Sequence, residues 1–406
     1  MTTELNMNEP KADPGPVRAR RSGDRAAWSG LAAMTVSFGL NFSAGVFFAP
    51  AAAAYGMDVT ALAVAAALST ALTGLLQPVI GILLDRIGAR AVLLAGLLFM
   101  AACYLALAVV QETWQFVMVY LVLGGIGFAA SSSLALTTLI GRIRGERAGP
   151  SLARASTGIN LGQLLVPWAA TVLFEPAGVR ATYALLGAAG LAVTAVLAAV
   201  LPRDRFQASA AGRERLRGRT RILISFGLHS ATLYVMVLLL PKHAVELGWS
   251  AADAGRLVAV AAVAAGISSA VSARLLRRHR PETLLRTMHA VRAVSLGLAA
   301  VVSEGPALVA VAVLFGVASF PVIPLTMAVV SRGLDRSRMG RTLAPAWLVH
   351  QLSAAAGLVV ATALHAVSGD YRPFFALALL LSTTAVVLVS PGRREPVPTT
   401  RQEQTT

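Results

Sequence analysis

Charge is scarce in this chain: 13% of its 406 residues are Asp, Glu, Lys or Arg, against 56% hydrophobic. Soluble domains carry about 25% charged residues, so a solvated globule is excluded. Cysteine occurs once, at position 103. That rules out a disulfide within the chain and leaves no cysteine set for a metal. Lysine occurs twice, in EPKA and LPKH. Neither follows the glycine that a phosphate-cradling loop requires, which excludes transport powered by such an ATPase. The scarcity that bears most on function is acidic, because all nineteen Asp and Glu fall in tails, loops or helix ends. No carboxylate stands at depth to pair with a cationic cargo, relay a proton or join a histidine around a metal. A bilayer hydrolase is therefore excluded, no cofactor or metal is expected, and the cargo is expected to be anionic or neutral.

What the chain has in abundance is long apolar runs, with a mean hydropathy of +0.69. A helix needs about 20 apolar residues to cross roughly 30 Å of hydrocarbon. Twelve runs reach that length, at 28–50, 59–84, 90–110, 114–140, 152–174, 181–201, 222–241, 251–275, 283–302, 307–331, 342–367 and 372–390. They are apolar all round and lack the alternation of barrel strands. The expected fold is an all-α membrane protein of twelve transmembrane helices in two six-helix bundles. Its parts read as a polar tail over 1–27, a first bundle over 28–201, a central loop over 202–221, a second bundle over 222–390 and a tail over 391–406. Both tails are expected to be disordered.

Thirty of the 35 basic residues fall in the tails and even-numbered loops, four in the odd-numbered loops, and Arg292 lies inside a segment. Basic residues accumulate on the cytoplasmic side, so both termini are expected there, in the inner (plasma) membrane. The net charge of +16 is spread over separate loops rather than gathered on one face, so topology accounts for it and no nucleic-acid partner is expected. Arg20 and Arg21 precede an apolar run, but that run is of spanning length and eleven more follow, which speaks against a cleaved export signal.

Two opposite charges interrupt the apolar pattern in GILLDRIGAR, residues 81–90. The pattern Gly81, Asp85, Arg86, Gly88, Arg90 resembles the loop 2–3 signature of the major facilitator superfamily. The resemblance implies that Asp85 sits at the amino end of helix 11, which begins near Thr342 here, and pairs with basic residues to close the cytoplasmic side. A carboxylate at a helix amino terminus gains about 0.3–1 kcal/mol. Ala89 stands where the signature usually has a second basic residue, and the matching second-half loop, ARLLRRHRPE, has Arg277 near the place of the aspartate.

A narrower resemblance rests on SFGLNFSAGVFFAP (37–50), GQLLVPWAA (162–170), LGWSAADAGRL (247–257), HQLSAAAG (350–357) and SGDYRPFFALALLL (368–381). These look like the bacterial monocarboxylate-transporter and oxalate:formate-exchanger branch of that superfamily. The resemblance implies alternating-access transport of a small organic anion, by proton symport or by exchange. Phe42 and Ser269 stand where animal members carry a lysine and an arginine, and His350–Gln351 lie near the exchangers' helix 11 lysine.

Polar residues inside the segments are the remaining site candidates. Arg292 lies roughly 13 Å along its helix, at 1.5 Å per residue, with His289 on the same face. It reads either as an anion clamp or as a structural contact. Asn160 and Gln163 share a face of the fifth segment and read as substrate contacts or as hydrogen-bond glue between helices. Asn41, His229, His350 and Gln351 lie on helices that line the central cavity of the superfamily. With no carboxylate at depth, a proton-coupled mechanism would require a histidine. The expected protein is a monomer that binds a small molecule, with protons as a candidate coupling ion. Export of a neutral or drug-like compound is the alternative cargo reading, and a non-transporting membrane sensor the alternative from another class.

Overall fold

The computed structural model describes residues 16–204, 216, 218–302 and 305–389. Hydrocarbon offers no water to unpaired amides, so each apolar run closes its backbone hydrogen bonds on itself as a helix. The first half comprises α1 (Pro16–Tyr55), α2 (Val59–Ile87), α3 (Ala89–Leu107), α4 (Thr113–Val119), α5 (Gly125–Ser131), α6 (Ser133–Arg144) and α7 (Ala148–Val200). The second comprises α8 (Thr220–Glu246), α9 (Ala251–Leu275), α10 (Pro281–Val301), α11 (Gly305–Ser319), α12 (Val322–Val330), α13 (Met339–Ser368) and α14 (Arg372–Leu388). Among the described residues there is no strand.

Among the described residues, nine spans are long and apolar enough to cross a membrane, and one of them, Thr113–Val200, is 88 residues long. That span reverses between α6 and α7, and again at Gly178, whose φ of 76° lies in the left-handed region that glycine tolerates. It therefore makes three crossings. With α14, of 17 residues, the crossings number twelve, in two halves of six.

The boundaries differ from the sequence reading in ways that have local causes. Residues 16–27, read as the end of a tail, continue α1, where Ala26 and Ala27 are buried. The fourth crossing is not one α-helix: a π-turn at Tyr120–Gly124 joins α4 to α5, and an extended Ser132, with ψ 177°, separates α5 from α6. The tenth crossing breaks at Phe320–Pro321 between α11 and α12. The eleventh starts at Met339, three residues before Thr342. The expected tails over 1–15 and 391–406, and most of the central loop, lie outside the described residues.

Lipid supplies no hydrophobic drive between helices, so the bundles depend on close backbone approach at small residues. A Cβ at Gly158 of α7 would collide with the Leu31 carbonyl of α1, and one at Gly357 of α13 with the Ala231 carbonyl of α8. The same device thus packs the first helix of each half against its fifth crossing.

The halves meet along two seams, α2 against α13 and α7 against α9. Hydrogen bonds that join them run from the Gly340 and Arg341 amides to Asp85, from Arg142 to the Arg336 carbonyl, and from Asn160 to Ser269. The first three lie at the arginine-rich face, where the seam is sealed.

Candidate functional site

The seal is built from two carboxylates, each bonded to the first turn of a helix other than its own. Asp85, at the end of α2 and fully buried, accepts the Gly340 amide at 2.8 Å and the Arg341 amide at 2.9 Å. Those are early amides of α13, which lack partners within their own helix and carry the positive end of its dipole. Asp204, just after α7, accepts the Ala89 amide at 2.8 Å and the Arg90 amide at 3.3 Å, the first amides of α3.

Arg142 of α6 ties the two together. Its guanidinium donates to Asp85 at 2.7 Å, to Asp204 at 3.0 Å, to the Leu84 carbonyl at 2.8 Å and to the Arg336 carbonyl at 2.8 Å. Planar forked donors suit this task, which an ammonium could not perform. The other motif residues take separate positions. Gly81 lies against α13, where a Cβ would come within 2.8 Å of the Ala344 Cβ and the Gly340 carbonyl oxygen. Gly88, at φ 96°, makes the turn into α3. Arg90 reaches back to the Leu201 carbonyl at 3.0 Å and the Ala198 carbonyl at 2.5 Å. Arg86 is exposed and lines, with Arg341, Pro78, Pro345 and Leu348, a groove of about 360 Å³ beside the seam.

Among its described residues the second half holds no copy of this arrangement. Glu282, in the first turn of α10, pairs with Arg332 at 2.6 Å, and Arg219 donates to the Val330 and Arg332 carbonyls. These contacts stay within that half.

Four of the polar candidates gather inside the second half. Arg292 of α10 is fully buried and donates to His229 Nδ1 at 2.9 Å, to the His229 carbonyl at 3.2 Å and to Thr232 Oγ1 at 2.6 Å. Its guanidinium carbon lies 5.2 Å from the centre of the Phe315 ring, so a cation–π contact covers its face. No carboxylate among the described residues pairs with it. His289 Nε2 lies 2.9 Å from Ser225 Oγ. His350 of α13 lies 6.2 Å from His229, ring centre to ring centre, and its Nδ1 is 3.3 Å from Gln351 Oε1.

Two of the other candidates, Asn160 and Gln351, sit at the contact between the halves. Asn160, buried on α7, donates to Ser269 of α9 at 3.3 Å while its own Oδ1 accepts nothing. Gln351 is half-buried with its Cβ facing Gly74 of α2. Asn41 and Gln163 are half-buried on α1 and α7. Sequence reasoning missed Arg142 and Asp204, which it counted or placed only as loop charges. It also missed Thr232, whose spacing of three from His229 on one helix face was the available signal.

Residues 30–357 match the Major Facilitator Superfamily, and residues 222–405 match it again. The chain belongs to that family, and its helices are those of a multi-pass membrane protein. Among curated proteins it is similar to "Multidrug resistance protein MdtG" of Enterobacter lignolyticus, 29% identical over 226 residues, covering 52% of this chain and 53% of that protein. MdtG of Citrobacter koseri is 33% identical over 132 residues, 32% of each chain. The chain thus spans about a third to a half of the length of the curated relatives it matches. Their multidrug names differ from the monocarboxylate names that the motif resemblance implies. Among solved structures, the human organic anion transporter MFSD10 superposes with a TM-score of 0.72 at 18% identity, covering 93% of this chain and 100% of that one. At that identity the likeness concerns the fold alone.

Proposed function

We propose that the chain is a secondary active transporter that exports a neutral, drug-like compound across a bacterial inner membrane, by alternate rocking of its two halves. The observation that carries this reading is what Arg292 does: the one basic residue deep in a span donates to α8 and is fully buried. Among the described residues, a small carboxylate at membrane depth between the halves therefore meets no free guanidinium. A permanently cationic cargo meets no deep carboxylate either, which leaves neutral compounds as the class that incurs no unpaired charge in the membrane. The relatives named for multidrug resistance support the same reading, over a third to a half of their length.

The positive-inside rule puts the arginine-rich face in the cytoplasm together with both termini. On that reading the sealed seam makes this the outward-facing state, with Gly81, Asp85, Arg86, Gly88 and Arg90 as the cytoplasmic gate. Asn41, Asn160, Gln163 and Gln351 then stand as the candidate contacts to cargo. His350 lies beside them, while His229, His289 and Arg292 form the layer behind.

The test is flux in vesicles reconstituted with purified protein, with and without a pH gradient. The panel should pair neutral dyes and antibiotics with carboxylates from formate to lactate size. Gradient-driven movement of neutral compounds, with the carboxylates inert, is the expected result. Movement of the carboxylates alone would replace this reading with small-anion symport or exchange, as the narrower motif resemblance implies. Binding without flux of any compound would make the chain a sensor.

A further inference from the structure

Three buried ring nitrogens on the neighbouring helices α8 and α13 carry no hydrogen-bond partner: His229 Nε2, His350 Nε2 and Trp347 Nε1. Their proton occupancy follows from their other contacts. A guanidinium has no acceptor, so the 2.9 Å contact from Arg292 makes His229 Nδ1 the acceptor and leaves the ring proton of neutral His229 on Nε2. Gln351 Oε1 is an acceptor, so the 3.3 Å contact makes His350 Nδ1 the donor and leaves His350 Nε2 as a bare lone pair. Indole Nε1 only donates. The set is thus two donors and one acceptor, with the His350 ring centre 6.2 Å from that of His229 and 5.2 Å from that of Trp347.

We propose that His350 is the proton-carrying site of this transporter, and that it receives its proton through one water held between His229, Trp347 and His350. The proposal rests on the transporter reading above and names its coupling ion. A water accepting from His229 and Trp347 and donating to His350 satisfies all three orphaned nitrogens, within the two to four bonds a buried water makes. Transfer of a proton from that water to His350 Nε2, with replacement from the outer solution, gives an imidazolium with N–H groups at both nitrogens. Three N–H donors then converge on a water oxygen with two lone pairs. The α8–α13 arrangement seen here fits neutral His350 and is disfavoured once the ring is charged.

The strain reaches the seam through α13. Gln351, next to His350, packs on Gly74 of the opposite half, and the amino end of the same helix is held by Asp85. The charged and titratable groups around His350 are His229 and Tyr234 of α8 and, behind them, His289 and Arg292 of α10. No carboxylate among the described residues joins the cluster, so nothing cancels the added charge. Proton entry from outside therefore shifts the protein from the outward-facing arrangement toward the inward-facing one, which is the stroke of a proton antiporter.

The test needs no cargo. Met339 is buried against Gly141 across the seam, so Met339→Cys in a Cys103→Ala background reports seam opening through the rate of thiol alkylation, corrected for thiolate fraction with a free-cysteine peptide. Over roughly pH 8 to 4, the corrected rate is expected to rise several-fold as pH falls. Asp335, in the turn before α13, stays ionised throughout, because the Ser337 amide and hydroxyl hold its carboxyl below the usual range. His350→Gln should flatten the response, whereas His289→Gln, with its Nε2 already engaged by Ser225, should keep it. If His350→Gln does not fold, Trp347→Phe serves instead: with one donor fewer on the water, the midpoint should move to higher pH. A parent protein without pH response, a His350→Gln protein that keeps it, or an unmoved midpoint in Trp347→Phe overturns the proposal. Failure of the cargo panel, by contrast, would overturn the export reading and leave this readout intact.

Discussion

Asp85 of α2 lies 2.8 Å from the backbone amide of Gly340, so a carboxylate of one half completes the first turn of a helix in the other. The bond spans 255 positions in sequence. It forms only while the halves are apposed at the arginine-rich face, and it is lost when they part there.

Asp85→Asn should leave the protein folded and shift it toward the state open at that face. The amide keeps an acceptor oxygen but loses its charge against Arg142 and against the dipole of α13. A loss of about 1–2 kcal/mol changes the ratio of the two states about 5- to 30-fold. Alkylation of Met339→Cys at constant pH reads this out. An unchanged rate would reduce Asp85 to a local cap.

Arg142→Gln should open the seam further than Asp85→Asn, because one change strips donors from Asp85, Asp204, Leu84 and Arg336 at once. Breaking a buried pair by removing one partner costs about 3–5 kcal/mol. Asp204→Asn, which affects the start of α3 but has no bond across the seam, should lower thermal stability with little effect on alkylation. Equal opening in the Arg142 and Asp204 variants would show that Arg142 is not the hub.

Much of this was legible in the sequence, for a physical reason. Hydrocarbon forces every span to be a long apolar helix, so the twelve crossings could be read from run length, and the charges of GILLDRIGAR stood out against them. The position of Asp85 at the start of α13 followed from the motif resemblance. Arg142 was not legible as its partner, because in a chain with 33 arginines one more loop arginine carries no signal. The neighbour of Arg292 was not legible either: helical periodicity put it on one face with His289, but which helix that face meets depends on how six crossings pack. The π-turn at Tyr120–Gly124 and the continuation of α1 back to Pro16 lie in stretches whose composition suits several conformations.

Gly158→Ala should destabilise the first half, since its Cβ would overlap the Leu31 carbonyl, a backbone atom that cannot rotate away. Overpacking of this kind costs about 1–3 kcal/mol. Gly297→Ala is the control: its Cβ would meet the Leu379 side chain at 3.5 Å, an ordinary contact. Melting temperatures in detergent should fall for the first variant and hold for the second. A tolerated Gly158→Ala would mean that α1 and α7 are not so closely apposed.

The last prediction separates the two roles open to Arg292. If it binds cargo, Arg292→Lys keeps the charge and should preserve some transport with weaker affinity. The structure favours the other role, in which three N–H bonds orient His229 and Thr232 behind the proposed cargo contacts. A lysine cannot reach the His229 ring, the His229 carbonyl and the Thr232 hydroxyl together, and it buries a more strongly hydrated charge than guanidinium. Arg292→Met removes the charge but leaves those acceptors unpaired, at about 1–3 kcal/mol for each that finds no other donor. Both variants should therefore lower the melting temperature, Arg292→Lys at least as much as Arg292→Met, while protein that survives binds neutral cargo with unchanged affinity. Arg292→Met also frees His229 Nδ1, so the ring is no longer held to one tautomer and the pH response of the seam should broaden. A stable Arg292→Lys protein with weakened binding would return Arg292 to the cargo site and, with it, the anion reading of the whole transporter.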